Sequence, residues 1–182
     1  TAGTRSITPS SGVLTANASS NYTVDPAAAS QIIVVLPGQA YNPGAGSLAA
    51  AVSGTPTAQT AGTSFTATVR AVDPFFNTDS TETGAVSIVT DDTNEADPSA
   101  STFTAGVEDF TVTNVTADAT RFITPTAGVL TANVSSNYVV DPGAAVASII
   151  VHPGQTYTPG VSSLAAAVTG TPTTQVVNVA FS

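Results

Sequence analysis

Two groups of acidic and amide side chains are the residues whose types and spacing could bind a metal ion. Carboxylate and amide oxygens are the hard ligands that Ca²⁺ prefers, which makes calcium the one cofactor to weigh. Neither group has the spacing of an EF-hand loop. Because both groups lie where turns are expected, the alternative is that these side chains hydrogen-bond their own backbone. The first group is Asp73, Asn77 and Asp79; the second is Asp91, Asp92, Asn94, Glu95 and Asp97.

Enzymatic chemistry finds little support in the other residue types. The chain has no cysteine and no lysine, and His152 is its single histidine. The usual nucleophile, transition-metal and phosphate-binding arrangements are therefore missing. Paired carboxylates can hydrolyse glycosides, but they need a cleft that the sequence does not suggest. We expect a non-enzymatic protein with no catalytic residues and no bound cofactor.

Charge and composition narrow the partners and the location. The formal net charge of −9 opposes binding to nucleic acid or to anionic lipid. No apolar run approaches the roughly 20 residues that span a bilayer. Threonine, serine, alanine, valine and glycine dominate the chain, which resembles exported structural proteins. We therefore expect an extracellular or cell-surface location.

One stretch of sequence occurs twice and organises the chain. Residues 4–66 recur as residues 120–182 at a constant offset of 120 − 4 = 116, without a gap, and about two-thirds of the positions are identical. A fixed period of this kind is typical of a tandem array. His152 takes the place of Leu36, so the repeat does not depend on an imidazole.

The repeat predicts three parts. Residues 1–26 are the last strands of one copy, residues 27–142 a complete copy, and residues 143–182 the first strands of the next. The connectors are Asp25–Ser30 and Asp141–Ala147. Partial copies would leave strand edges uncovered, which native proteins avoid. The predicted partners are therefore adjacent repeats of the same chain or copies of the protein itself.

Alternation of apolar and polar residues predicts an all-β fold. About seven short strands per period, separated by turn residues and without a convincing helix, favour an immunoglobulin-like Greek-key β-sandwich in a tandem array. The predicted interior residues are Phe65, Val69, Phe110, Val112, Leu130 and Tyr138. The predicted strands lie at residues 13–24, 31–36, 64–72, 85–90, 101–104, 110–115, 121–124 and 129–140.

The segment 37–62 is unusually long for a link between the first two strands of such a sandwich. We interpret Leu48–Val52 as a flat strand of small residues that braces neighbouring modules, with a surface loop as the alternative. Alanine also favours a helix, but the segment is short and bounded by glycines. The predicted inter-module contacts are Leu48, Ala50 and Val52, with Leu164, Ala166 and Val168 in the second copy.

Several short motifs carry a resemblance to a known family. They are Ala61-Gly62-Thr63-Ser64-Phe65, the strand Thr68–Asp73 with Asn77, Gly84-Ala85-Val86, and Asp141-Pro142-Gly143-Ala144 before a new apolar strand. Together they resemble the tandem immunoglobulin-like repeats of bacterial and archaeal surface proteins. That resemblance implies a stalk, an adhesin shaft or a filament subunit. The Cys…Trp…Cys pattern of antibody domains is absent.

These observations favour a structural, non-enzymatic module. The alternative is an adhesin domain that binds a glycan or a host or partner protein, for which Phe75-Phe76 is the one aromatic platform; the two rings could equally fold onto the core. Four Asn-X-Ser/Thr triplets are possible glycosylation sites or chance occurrences in a Thr/Ser/Asn-rich chain. They begin at Asn17, Asn21, Asn114 and Asn133.

Overall fold

Strands dominate the structure, a computed structural model that describes residues 1–176. This confirms the all-β prediction. Residues 177–182, with Phe181 of the second copy, lie outside the described residues. The first partial copy holds β1 (Gly3–Arg5) and β2 (Tyr22–Val24), and the second holds β15 (Thr156–Tyr157), α2 (Leu164–Ala167) and β16 (Val168–Thr169). The central copy holds β3 (Gln31–Val35), β4 (Ala40–Tyr41), α1 (Leu48–Ala51), β5 (Val52–Ser53), β6 (Gln59–Thr60), β7 (Phe65–Val72), β8 (Ala85–Thr90), β9 (Ser101–Thr102), β10 (Val107–Val112), β11 (Asp118–Arg121), β12 (Ile123–Thr126), β13 (Thr131–Ala132) and β14 (Tyr138–Asp141).

The strands of the central copy form one four-stranded sheet, two three-stranded sheets and the two-stranded hairpin β4–β5. The four-stranded sheet has the order β10-β7-β3-β13, and the others have the orders β12-β8-β9 and β11-β14-β6. Strand β7 pairs antiparallel with both β3 and β10. Only Phe122 separates β11 from β12, so the chain passes directly from one three-stranded sheet to the other.

Side chains from these sheets share one apolar core. Strand β7 alternates as its sequence predicts, with Phe65, Ala67 and Val69 buried. The Phe65 ring meets the Tyr138 ring edge-on, with centroids 5.5 Å apart, a favoured aromatic geometry. The predicted interior is confirmed: five of the six predicted residues are buried, and Leu130 is partly buried against them.

The prediction of one continuous strand at residues 129–140 is wrong, because the chain changes sheets within it. Strand β13 pairs parallel with β3, whereas β14 pairs antiparallel with β11 in another sheet. Between them, Ser135 donates its backbone N–H to Ile123 O and accepts the Ile123 N–H on its hydroxyl. In the first copy only Tyr22–Val24 of the predicted strand 13–24 is a strand.

The predicted flat strand at residues 48–52 is also wrong, because Leu48–Ala51 is the single helical turn α1. Ser47 caps this turn by accepting the Ala50 N–H on its hydroxyl at 3.3 Å. Ala51 is buried in a second apolar cluster with Ile33, Val72 and Phe76, and Leu48 and Val52 pack against it from the same copy. Ala50 is exposed. The turn α2 is capped in the same way, since the Ser163 hydroxyl accepts the Ala166 N–H.

No helix among residues 1–176 has the length and apolarity to cross a membrane.

The repeat supplies its own control for the energy of the core. Ile123 is fully buried, whereas Ile7, at the same position of the first copy, is 63% exposed. We expect Ile123→Ala to lower the free energy of unfolding by about 2–5 kcal/mol through lost burial and the cavity left behind. Ile7→Ala should change it by less than about 0.5 kcal/mol. Urea denaturation of both variants measures the difference, and equal effects would contradict the assignment of the core.

Candidate functional site at the junctions between copies

The loop 73–79 is held firmly against the hairpin formed by β4 and β5. The Tyr41 hydroxyl donates to Phe76 O at 2.5 Å and lies 3.0 Å from Thr78 Oγ1. The Phe76 side chain is buried in the second apolar cluster. Over the Tyr41 ring, the Arg70 guanidinium carbon stands 4.6 Å from the ring centroid, a cation–π distance. The loop and the hairpin therefore form one rigid surface.

The carboxylates of this loop hold the connector that enters the central copy. Asp73 accepts the N–H groups of Phe75 and Asn77, both at 2.8 Å, on Oδ1 and that of Ala27 at 3.2 Å on Oδ2. Asp79 Oδ2 accepts the Ala29 N–H at 2.9 Å. Two connector N–H groups are thereby satisfied by side chains of the loop.

The same surface contacts the first partial copy directly. Asn77 Oδ1 accepts the Ala2 N–H at 2.9 Å. The turn of the hairpin lies so close to Thr1 that a Cβ added to Gly44 would stand 2.5 Å from Thr1 Cα. The junction between the first and central copies therefore combines hydrogen bonds with a close approach that only glycine allows.

One part of this arrangement, the glycine turn seated against the preceding copy, recurs one period later. Asn94 Nδ2 donates to Thr116 Oγ1 at 2.9 Å and to Pro159 O at 3.5 Å. A Cβ added to Gly160 would lie 2.8 Å from Thr116 Cβ. Gly160 is the counterpart of Gly44, since 44 + 116 = 160, and Thr1 corresponds to position 117, directly after Thr116.

A second acidic loop fixes Thr116 at that junction. Asp92 Oδ2 accepts the N–H groups of Val115 and Thr116, both at 2.8 Å. Buried Arg121 donates to Thr116 O at 3.1 Å and lies 3.6 Å from a carboxylate oxygen of Asp91 and 3.7 Å from one of Asp92. Sequence analysis did not assign Arg121 a role, although it is one of three basic residues and its counterpart is also an arginine.

Hydrogen bonding sets the protonation of the loop carboxylates. Burial by itself raises the pKa of Asp73 and of Asp92, but the N–H groups that each accepts outweigh burial and bring both below the ordinary value of 3.8. The pKa of Asp79 is also lowered, chiefly by the Thr81 side-chain hydrogen bond. Glu95 behaves oppositely, because burial raises its pKa and the neighbouring carboxylates add to that effect.

The geometry of both acidic groups matches turn and loop organisation. Within residues 1–176, no group of three or more His, Cys, Asp or Glu side chains is placed to hold a metal ion. Every predicted aspartate ligand accepts a backbone N–H from the protein, whereas Glu95 accepts the Thr90 hydroxyl and the Asn114 side-chain amide. The donors are Ala27, Phe75 and Asn77 to Asp73; Ala29 and Thr81 to Asp79; Phe122 to Asp91; Asn94, Val115 and Thr116 to Asp92; and Thr90 to Asp97.

The four predicted glycosylation sites differ in access. Asn17 and Asn21 are exposed. Asn133 is half-buried, and its side-chain amide donates to Ile32 O at 3.0 Å. Asn114 is buried and accepts the Tyr138 hydroxyl proton at 2.7 Å. A glycan on Asn114 is therefore incompatible with this fold.

Removing one acceptor from the first junction tests its contribution to stability. Asp73→Asn keeps the shape but points an amide N–H₂ at backbone donors. We expect a loss of about 1–3 kcal/mol in the free energy of unfolding, because a buried donor is left without a partner. Exposed Asp25, with the same substitution, is the matched control. Equal effects of Asp73→Asn and Asp25→Asn in urea denaturation would contradict this role.

The lowered pKa values predict loss of stability in acid. A carboxylate whose pKa is lower in the folded state stabilises the protein above its unfolded pKa, and that contribution disappears as the pH falls through the folded value. For Asp73, Asp79 and Asp92 the loss should therefore begin near pH 3.8 and grow below it. The measurement is the free energy of unfolding against pH. Asp79→Asn should flatten the acid limb, and an unchanged slope would contradict the assignment.

No protein-family model matches the chain, and no curated protein matches it significantly.

Proposed function

We propose that this chain is a structural, non-enzymatic repeat module of an extracellular filament or long cell-surface protein, completed by neighbouring repeats. Each copy is an immunoglobulin-like Greek-key β-sandwich in a tandem array with a period of 116 residues. One observation carries this proposal. Apolar side chains that the central copy buries are exposed at the same positions of the two partial copies.

The exposed positions lie on both sides of the central copy. In the first partial copy, Tyr22 and Val24 are exposed, whereas Tyr138 and Val140 are buried. In the second, Ile149 is 40% exposed, whereas Ile33 is fully buried. Apolar surface of this extent favours contact with further polypeptide. Strands equivalent to β7, β8 and β10 would supply that contact, since these strands cover the same positions in the central copy.

Local structure recurs between the copies and supports a shared fold. Tyr41 pairs with Val52 in the first hairpin and Tyr157 pairs with Val168 in the second. At the other side, Arg5 pairs with Tyr22 as Arg121 pairs with Tyr138. Two local pairings of the complete copy therefore recur in the partial ones.

The strand order of the central copy supports the sandwich. We assign the sheet β10-β7-β3-β13 to one layer and the sheets β12-β8-β9 and β11-β14-β6, which share its apolar core, to the other. Consecutive strands β7 and β8 lie in different sheets. Strands β3 and β6, both from the first part of the copy, are also separated, since β3 pairs with β7 and β6 pairs with β14. These crossings between layers are typical of immunoglobulin-like Greek keys.

The chain's few basic residues suit a protein exposed to proteases. Arg121 is buried and Arg70 is half-buried within β7. With no lysine in the chain, trypsin-like enzymes meet only Arg5 in an exposed position. This protection is the physical advantage of such a composition outside the cell.

An adhesin role would need an exposed binding platform. The structure separates the two predicted aromatics, since Phe76 is buried in the second apolar cluster and Phe75 is 64% exposed. A single exposed ring is a weaker platform than a stacked pair, so the structural module is the better-supported function.

Limited proteolysis with thermolysin, which cuts beside apolar residues, tests the proposal. We expect the first cuts near Val13-Leu14 and within residues 149–151, where apolar side chains are exposed, and a resistant fragment that spans residues 27–142. Mass spectrometry of the early fragments identifies the sites.

A lengthened chain provides the control. Residues 1–142 joined in register to residues 27–182 would contain two complete copies between the same partial ones. Its early cuts should still fall only in the terminal partial copies. Early cuts at the counterparts of residues 149–151 inside the lengthened chain would contradict completion by a neighbouring repeat.

A further inference from the structure

We propose that each copy presents a docking surface for the copy before it, which sets consecutive copies at one fixed orientation and makes the array a stiff rod. The occupant is the preceding copy itself, at the positions equivalent to 116–118. This inference rests on the proposed function and adds how the copies are held.

The docking surface consists of the hairpin turn 42–45 and the loop 73–79. These two segments are joined by the Tyr41 hydroxyl, which contacts Phe76 O and Thr78 Oγ1. A surface built from two linked segments keeps its shape when the neighbouring copy is pulled. Such a surface can therefore fix the orientation of the preceding copy.

The first occupied surface shows what it recognises. Asn77 accepts the Ala2 N–H, and the turn at Gly44 seats against Thr1. Asp73 and Asp79 accept the N–H groups of Ala27 and Ala29 in the connector. The preceding copy is thus held at two places, the segment at residues 1–2 and its exit into the connector, and two attachments limit rotation about either one.

The second junction shows that the seating of the glycine turn recurs. Pro159-Gly160, the counterpart of Pro43-Gly44, seats against Thr116, and Asn94 reaches both Thr116 and Pro159. The counterpart of the loop 73–79 would lie at 189–195, since 73 + 116 = 189. The turn meets position 117 of the repeat at the first junction and position 116 at the second, and a seating turn that recurs in this way would arrange successive copies as a regular rod.

Without such contacts, domains joined by short connectors move relative to each other. Glycine is required at the seating turn for two reasons. Its φ is +77° at Gly44 and +79° at Gly160, and any side chain would overlap the preceding copy. Gly62 has nearly the same φ, +81°, but no atom lies within 4 Å of an added Cβ. Gly62→Ala is therefore a matched control that carries the backbone strain without the overlap.

The orientation is measurable because the natural chain has no cysteine. Spin labels on cysteines introduced at exposed positions report inter-copy distances by double electron–electron resonance. Thr23→Cys with Thr111→Cys spans the first junction, and Thr111→Cys with Thr169→Cys spans the second. We expect one narrow distance distribution for each pair in the 182-residue protein.

Substitution at a junction should broaden only that distribution. Gly44→Ala should broaden the first, Gly160→Ala the second, and Gly62→Ala neither. Asn94→Ala removes an exposed donor without backbone strain, and it should broaden the second alone. Circular dichroism shows whether each variant is folded. If Gly160→Ala is unfolded, the distance distribution of Asn94→Ala alone tests the second junction.

Broad distributions in the parent protein would overturn the proposal, as would equal broadening by Gly44→Ala and Gly62→Ala. An unchanged second distribution in folded Asn94→Ala and Gly160→Ala would also overturn it. These outcomes are separate from the proteolysis of the partial copies. Cuts confined to those copies together with broad distance distributions would leave a structural array whose units move independently.

Discussion

A β-strand forms in this chain where another strand is available to pair with it, and the rest of the structure depends on that constraint. Residues 31–35 are a buried strand because β7 and β13 lie on either side. Residues 147–151 are the counterpart of that strand, and Ile149 and Val151 match Ile33 and Val35. They nevertheless form no strand. The counterpart of β7 would begin at residue 181, outside the described residues. Backbone N–H and C=O groups need partners before they can be buried, so the same sequence is a core strand in one copy and an exposed segment in the next.

Polar contacts obey a more local rule, and they account for the acidic side chains. The chain carries a net charge of −9, and several of its carboxylates are buried. Those of Asp73, Asp79 and Asp92 are stabilised by backbone N–H groups that loops leave free. The backbone N–H groups of a connector have no neighbouring strand to accept them, and a loop carboxylate accepts them instead. This explains why the buried acids concentrate at the two junctions and not within the sheets.

Most of the apolar core could be predicted from the sequence, whereas the junctions could not. Alternation in Phe65–Val72 identifies buried side chains because a strand with one buried face has a period of two. The same pattern failed at residues 129–140, since period alone does not reveal that a chain changes sheets at Ser135. It failed again at Leu48–Ala51, where the Ser47 cap decides for a helical turn. The acidic groups were recognised as notable, but which backbone groups they accept depends on tertiary packing. The only sequence feature that singled out Arg121 was the scarcity of basic residues in the chain.

The hairpin β15–β16 with its α2 turn has consequences for how a nascent chain folds. It has the same pairing as its complete counterpart although residues 143–176 form no further strand of their own copy, so such hairpins can form soon after synthesis. The apolar segment before each hairpin stays unpaired until the ribosome has synthesised the later strand that pairs with it, and we call it the waiting strand. Adjacent copies of similar sequence can exchange such waiting strands and misassemble. Five of seven positions differ between residues 30–36 and 146–152, whereas residues 47–52 and 163–168 are identical. Divergence in the waiting strand disfavours exchange, while the turns that form alone can remain the same.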